Sequence, residues 1–308
     1  MNTISLPGAL AWRGRFGIWA IALGLIASWP AIAQDAVALK ARHDSLREQL
    51  ANNPFQRPIH LESTQTANDL KGDVYAVVEQ PYSVVGPALQ SMNQWCDLLI
   101  LHLNVKHCAF NEAAPKPVLS LSVGRKFDQP LDEAHRVDFA FTLPAAGADY
   151  LRVQMAAETG PLSTRNYRLS LEAVPLDAKR TFLHMSYAYA YGVAARMAMS
   201  GYLATAGRDK VGFSVVGKTP EGKPLFIDGV RGVVERNTMR YYLAIESYLG
   251  AMNTPPADQQ EKRLRDWFAA TERHAQQLHE IERDDYLAMK RREVQRQQGS
   301  ATKAAKPG

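Results

Sequence analysis

The sequence predicts an α+β fold in which an antiparallel sheet is followed by helices. Three observations predict it. Five strand-like segments follow one another between Val118 and Tyr191 with turn residues, not helices, between them. Helical spacing then takes over in Val233–Leu249 and in a charged stretch from Glu261 to Gln298. The composition, 46% hydrophobic and 22% charged over 308 residues, is that of a globular chain long enough to bury a core without metal or disulfide support.

Residues 1–33 read as a secretory signal peptide. Arg13 and Arg15 form a basic region, Phe16–Trp29 is apolar and uncharged, and Ala31-Ile32-Ala33 supplies the small residues of a cleavage site before Gln34. An uncleaved anchor is the alternative. The apolar run of 14 residues is shorter than the roughly 20 that span a bilayer, so cleavage into the periplasm is expected, with no transmembrane span in the mature chain. Cleavage lowers the net charge from +5 to +3. That ordinary balance gives no footing to a nucleic-acid partner.

Residues 34–58 read as a short helix and linker, with Val37, Leu39, Leu46 and Leu50 set among charges and Asn52-Asn53-Pro54 as the stop. Ile59–Ser63 and Asp73–Val78 are strand-like, and helical spacing resumes from Pro81 to Met92. The segments Val118–Lys126, Arg136–Leu143, Tyr150–Ala156, Tyr167–Val174 and Thr181–Tyr191 form the meander. Val193–Thr205 reads as a helix, 207–232 as Gly- and Lys-rich connection, and Val233–Leu249 as the next helix. Pro255-Pro256 separates it from 257–298, read as one long charged helix with Leu264, Trp267, Phe268, Leu278 and Ile281 on one stripe. That stripe is expected to dock on the domain, on a second copy or on an envelope protein. Residues 299–308 read as a disordered tail.

Cys96 and Cys108 are the only two cysteines, hence the only possible intrachain pair in an oxidising compartment. Twelve residues of straight strand would span roughly 40 Å, far beyond disulfide reach. A bridge therefore requires the chain to reverse, with a helix to about Leu103, a cap at Asn104 and an extended return over Val105–Phe110.

Catalytic signatures are absent: no Gly-x-Ser-x-Gly, dinucleotide-binding or phosphate-binding glycine loop, or Cys-x-x-Cys occurs. His279-Glu280-Ile281-Glu282-Arg283 has Arg283 where a zinc-protease helix needs its second His. His102, His107 and Cys108 fall short of a zinc set once the cysteine is bridged. No metal, cofactor or catalytic residue is assigned. The Tyr-rich strand is more informative: Met185, Tyr187, Tyr189 and Tyr191 share one face, and Phe139, Phe141 and Met155 supply matching faces. They form either a packed core or a pocket with an apolar body and phenol hydroxyls as orienting groups. If Val233–Leu249 crosses the sheet, Met239 and Tyr242 face this strand. Arg236 and Arg240 are either surface ion pairs or anchors for an anionic group at the pocket mouth.

The order of elements in 59–252, with the Val-x-x-Val-x-x-x-Pro-Tyr-x-x-Val run that starts at Val74 and leads to Trp95, resembles the START-like helix-grip superfamily. Two features stand outside that pattern, the insertion 193–232 and the helix 257–298. Trp95-Cys96-Asp97, Asn104-Val105-Lys106 and Tyr202–Lys210 are also similar to stretches of uncharacterised exported bacterial proteins, which implies no activity. The superfamily resemblance implies a sheet curved around a long C-terminal helix, with a cavity between them for lipids, sterols or polyketide-like molecules. In some members it implies cyclase or hydrolase chemistry. Binding or transfer of a hydrophobic, lipid-like small molecule is therefore the first expectation. A non-catalytic envelope module acting through the C-terminal helix is the second, and a cyclase-type enzyme the third.

Overall fold

The computed structural model describes Met1 and residues 31–113, 116–205 and 207–304. The expected signal peptide lies outside the described residues except for Met1 and 31–33. Helices α1 (Ala31–Ser45) and α2 (Arg47–Ala51) lead into strands β1 (Ile59–Gln65) and β2 (Asp69–Val78), then α3 (Tyr82–Ala88) and α4 (Met92–Leu99). Strands β3 (Val105–Asn111), β4 (Val118–Val123), β5 (His135–Ala146), β6 (Leu151–Thr159), β7 (Arg165–Pro175) and β8 (Thr181–Ala190) follow without an intervening α-helix. After α5 (Val193–Ala204) and a small hairpin, β9 (Val215–Lys218) and β10 (Pro224–Phe226), come α6 (Gly229–Gly250), α7 (Pro256–Glu272), α8 (Ala275–Leu278) and α9 (Arg283–Ala304).

The main sheet has eight strands, all paired antiparallel, in the order β1-β2-β8-β7-β6-β5-β4-β3. Period-two alternation sorts its two faces. Leu183, Met185, Tyr187 and Tyr189 of β8 join the large core with α3, α4, α6, α7 and α9, whereas Phe182 on the opposite face joins a second cluster with Ala36, Leu39 and Leu50 of the N-terminal helices and Leu46 between them. Helix α6 lies against the inner face, packed on β1, β2 and β8. This is the helix-grip arrangement. The approach of α6 to β2 is close enough that a Cβ at Gly72 would collide with the Thr238 side chain, so glycine is required there by space.

The disulfide joins Cys96 in α4 to Cys108 in β3 with Cα atoms 5.2 Å apart. The chain reverses as expected, but α4 ends at Leu99, four residues before the predicted Leu103, and turns carry it to β3. Its start is fixed by a reciprocal cap in which Ser91 Oγ accepts from Gln94 N and Ser91 N donates to Gln94 Oε1.

The predicted single helix over 257–298 is instead three pieces. No Gly or Pro interrupts the sequence from Arg273 to Glu282. The carbonyls freed by the break have partners elsewhere: Arg240 Nη2 donates to Leu278 O at 3.2 Å, and Lys210 Nζ donates to His279 O. Asp284 and Asp285 then occupy the first turn of α9, where carboxylates favour a helix N-terminus. Helix α9 continues to Ala304, so the expected disordered tail begins as helix, and 305–308 lie outside the described residues. Leu264, Trp267 and Leu278 are buried in the chain's own core, Trp267 donating through Nε1 to Arg240 O at 3.1 Å. The apolar stripe is therefore occupied within this chain. No helix among the described residues is long and apolar enough to cross a membrane.

Candidate functional site

Between the sheet and α6 lies a cavity of about 60 Å³. Leu121 and Val123 of β4, Val137 and Phe139 of β5, Met155 of β6 and Leu169 of β7 form its floor, because each sits at an inward position of its strand. Leu99 of α4 and Pro161 of the β6–β7 turn close its sides. Tyr167 of β7, Tyr187 of β8 and Tyr241 of α6 are its polar-tipped walls. Tyr187 and Tyr241 meet with ring centroids 5.1 Å apart and planes tilted by 54°.

The three phenols differ in what they bond. The Tyr167 hydroxyl is 2.7 Å from Thr164 Oγ1. The hydroxyls of Tyr187 and Tyr241 have no hydrogen bond to another side chain or carbonyl among the described residues. Burial raises the pKa of all three, that of Tyr187 well above the ordinary phenol value, so the hydroxyls stay protonated and can donate.

Of the residues singled out in the sequence, Phe139, Met155 and Tyr187 line this cavity. Phe141, Met185, Tyr189 and Met239 are buried in the surrounding core without lining it. Tyr191 lies at the end of β8, where its hydroxyl donates to Thr66 O at 3.1 Å. Tyr242 is fully buried but is not a wall of the cavity; its neighbour Tyr241 takes that place. Arg236 and Arg240 do not stand at a pocket mouth. Both are buried, Arg236 donating to Val211 O at 3.3 Å and Arg240 paired with Glu280 at 2.8 Å. Residue patterns did not single out Leu99, Pro161, Tyr167 or Tyr241 as walls. For Tyr167 the signal was present, since Tyr167, Leu169 and Leu171 continue one inward face of β7.

Helix α5 covers this end of the fold. It packs on the β6–β7 turn and on α6, yet Ala195 is its only buried residue, and Val193 and Met197 are 73% and 70% exposed. The backbone beneath it is conformationally costly: Leu162 and Ser163 in the turn and Asn166 at the start of β7 have φ of 58°, 61° and 54°, a region that residues other than glycine seldom adopt.

Two polar clusters lie away from the cavity. On the outer face, His184 Nε2 is 2.9 Å from Asp73 Oδ1 and Nδ1 is 3.0 Å from Glu172 Oε2. Lys71 pairs with Asp73 at 2.9 Å, and Tyr150 donates to Glu172 at 2.5 Å. Between β3 and α9, Lys106 and Lys290 share the single carboxylate of Glu293 at 3.2 and 2.7 Å, all three side chains 1% exposed or less. Among the described residues, no group of three or more His, Cys, Asp or Glu side chains is placed to hold a metal ion.

No protein-family model and no curated protein matches the chain. Solved structures do. Truncated norcoclaurine synthase from Thalictrum flavum aligns with a TM-score of 0.33 at 14% identity, over 47% of this chain and 90% of that one. A START superfamily protein from Mycobacterium smegmatis gives 0.30 at 12% identity, over 46% and 93%. The Zhui aromatase/cyclase from Streptomyces sp. R1128 gives 0.31 at 13% identity, over 70% and 96%. Similarity at this level carries no activity with it, and the site is read from its own geometry.

Proposed function

We propose that the protein binds a hydrophobic small molecule in the cavity between the sheet and α6, without acting on it chemically, in the periplasm. The observation that carries this reading is the lining: apolar side chains throughout, with two protonated phenols left without a protein partner. An acceptor on a bound molecule would give each hydroxyl a hydrogen bond worth about 0.5–1.5 kcal/mol. A volume of about 60 Å³ is well below the 300–1,000 Å³ typical of drug-sized ligand sites. Loading therefore requires the cavity to widen, and α5, held by few buried side chains, is the element best placed to move. The lining offers no carboxylate, imidazole, amine or thiol near neutral pKa for general acid–base work, which supports binding over catalysis. The disulfide and the expected leader support export.

The test is extraction of protein purified from the periplasm with organic solvent, followed by mass spectrometry. The reading expects an apolar species in stoichiometric amount that is depleted in a Met155→Trp variant. Clean extracts together with no binding of apolar probes by the unmodified protein would overturn it.

A further inference from the structure

Two features of the cavity constrain what could occupy it, given that it is a ligand site as proposed above. The first is charge. No cationic side chain lines it, and the two arginines nearest in sequence to Tyr241 are engaged, Arg236 with Val211 O and Arg240 with Glu280 and Leu278 O. A carboxylate or phosphate head group inside would be desolvated with no counter-charge, and burying an unpaired ion is prohibitive on the scale of ligand affinities.

The second is the polarity of what remains. Tyr187 and Tyr241 come from opposite layers, sheet and helix, with adjoining rings. Both hydroxyls are donors held protonated by burial. A saturated hydrocarbon would fill the apolar space but leave both donors unpaired. An oxygen acceptor satisfies them. The rings of Phe139 and Tyr167, 6.3 Å apart and nearly perpendicular, add edge and face surfaces suited to a flat body.

We infer that the ligand is an uncharged, flat, apolar molecule bearing a hydrogen-bond-accepting oxygen, such as an aryl ketone, quinone or ester, and that Tyr187 and Tyr241 select it through that oxygen. Fatty acids and other lipids with an anionic head in the cavity are excluded by the same geometry.

Three probes of matched size test this on the intact, lipid-stripped protein: 2-acetylnaphthalene, 2-naphthoate and 2-ethylnaphthalene, followed by naphthalene fluorescence. The ketone should bind at least about tenfold more tightly than either of the others. Tyr187→Phe and Tyr241→Phe should each weaken the ketone by about 2–12-fold, the range one hydrogen bond supplies, and leave the ethyl compound within twofold. Tyr189→Phe, which changes a neighbouring tyrosine that does not line the cavity, should leave all three unchanged and reports on folding. Equal affinity for ketone and hydrocarbon, or tightest binding of the naphthoate, overturns the inference while the cavity reading stands. Binding of none of the three overturns both.

Discussion

His184 Nε2 and Asp73 Oδ1 lie 2.9 Å apart across β8 and β2, while the other ring nitrogen meets Glu172 on β7 at 3.0 Å. An imidazole can donate from both nitrogens only as the cation, so this geometry specifies a protonated His184 between two carboxylates. Burial opposes the charge, but the carboxylates outweigh it and hold the His184 pKa above the ordinary value. For Asp73 and Glu172 burial is the largest influence and works upward, but His184 together with Lys71 for Asp73, and with Tyr150 and Arg152 for Glu172, outweighs it and draws both pKa values down. A raised histidine pKa adds stability that is complete below about pH 6.5 and is lost as pH rises through the folded-state value. Lowered carboxylate pKa values add stability above about pH 4 that is lost as pH falls through the folded-state values.

The triad is therefore expected to stabilise most in the window between those limits. His184→Gln should cost about 1.5–3 kcal/mol near pH 6, the scale of charged hydrogen bonds, and progressively less toward pH 9. Thermal unfolding of both proteins across that range checks it. A pH-independent difference would mean that His184 contributes only packing, through its 4.4 Å stack on Tyr75.

Glu293 carries a heavier burden, because two buried ammonium groups depend on it. Glu293→Gln leaves both without a counter-charge and should cost about 3–5 kcal/mol. Lys290→Met leaves Lys106 and Glu293 as a one-to-one pair and should cost clearly less. Burial and the neighbouring Lys106 push the Lys290 pKa down to about 8, against a partial upward pull from Glu293. A base whose pKa is lowered by folding adds stability as pH rises from about 8 to 10.5, since only the unfolded chain still holds the proton there. That gain should shrink but not vanish in Lys290→Met, because burial lowers the Lys106 pKa as well. Denaturant midpoints at pH 7, 8.5 and 10 for the three proteins provide the measurement.

How much was legible beforehand depended on which physical pattern a residue obeyed. The strands were legible because each buries one face, so that alternation in Phe139, Phe141, Met155 and Tyr187 directly reports direction. The disulfide was legible by elimination. Helix α6 was legible as a helix but its facing was not, because it is covered by the sheet on one side and by α7 and α8 on another. A helix buried nearly all round loses the polar stripe that sets its phase, so Tyr241 and Tyr242 could not be told apart. Arg240 and Glu280 are 40 residues apart, and nothing local marks either as half of a buried pair. The break after Leu278 shares that cause: long-range donors at Arg240 and Lys210 satisfy the carbonyls of Leu278 and His279 that a continued helix would otherwise bond.

Tyr242 and Tyr286 offer a matched test of that buried geometry. Both are fully buried phenols in the same core. The Tyr286 hydroxyl donates to Leu101 O at 2.9 Å, whereas the Tyr242 hydroxyl has no partner among the described residues. Removing a satisfied hydroxyl loses a bond and leaves a carbonyl unpaired, so Tyr286→Phe should cost about 1–2 kcal/mol. Removing an unsatisfied one relieves a desolvation cost, so Tyr242→Phe should be neutral or stabilising by about 1 kcal/mol. Burial pushes the Tyr242 pKa up to about 12, so neither substitution should alter the pH dependence below pH 10. The opposite signs are the diagnostic, read as shifts in urea midpoint at unchanged slope. Equal destabilisation by both would show that Tyr242 has a hydrogen-bond partner in solution, and that the side of α6 facing away from the cavity is as polar as the side facing it.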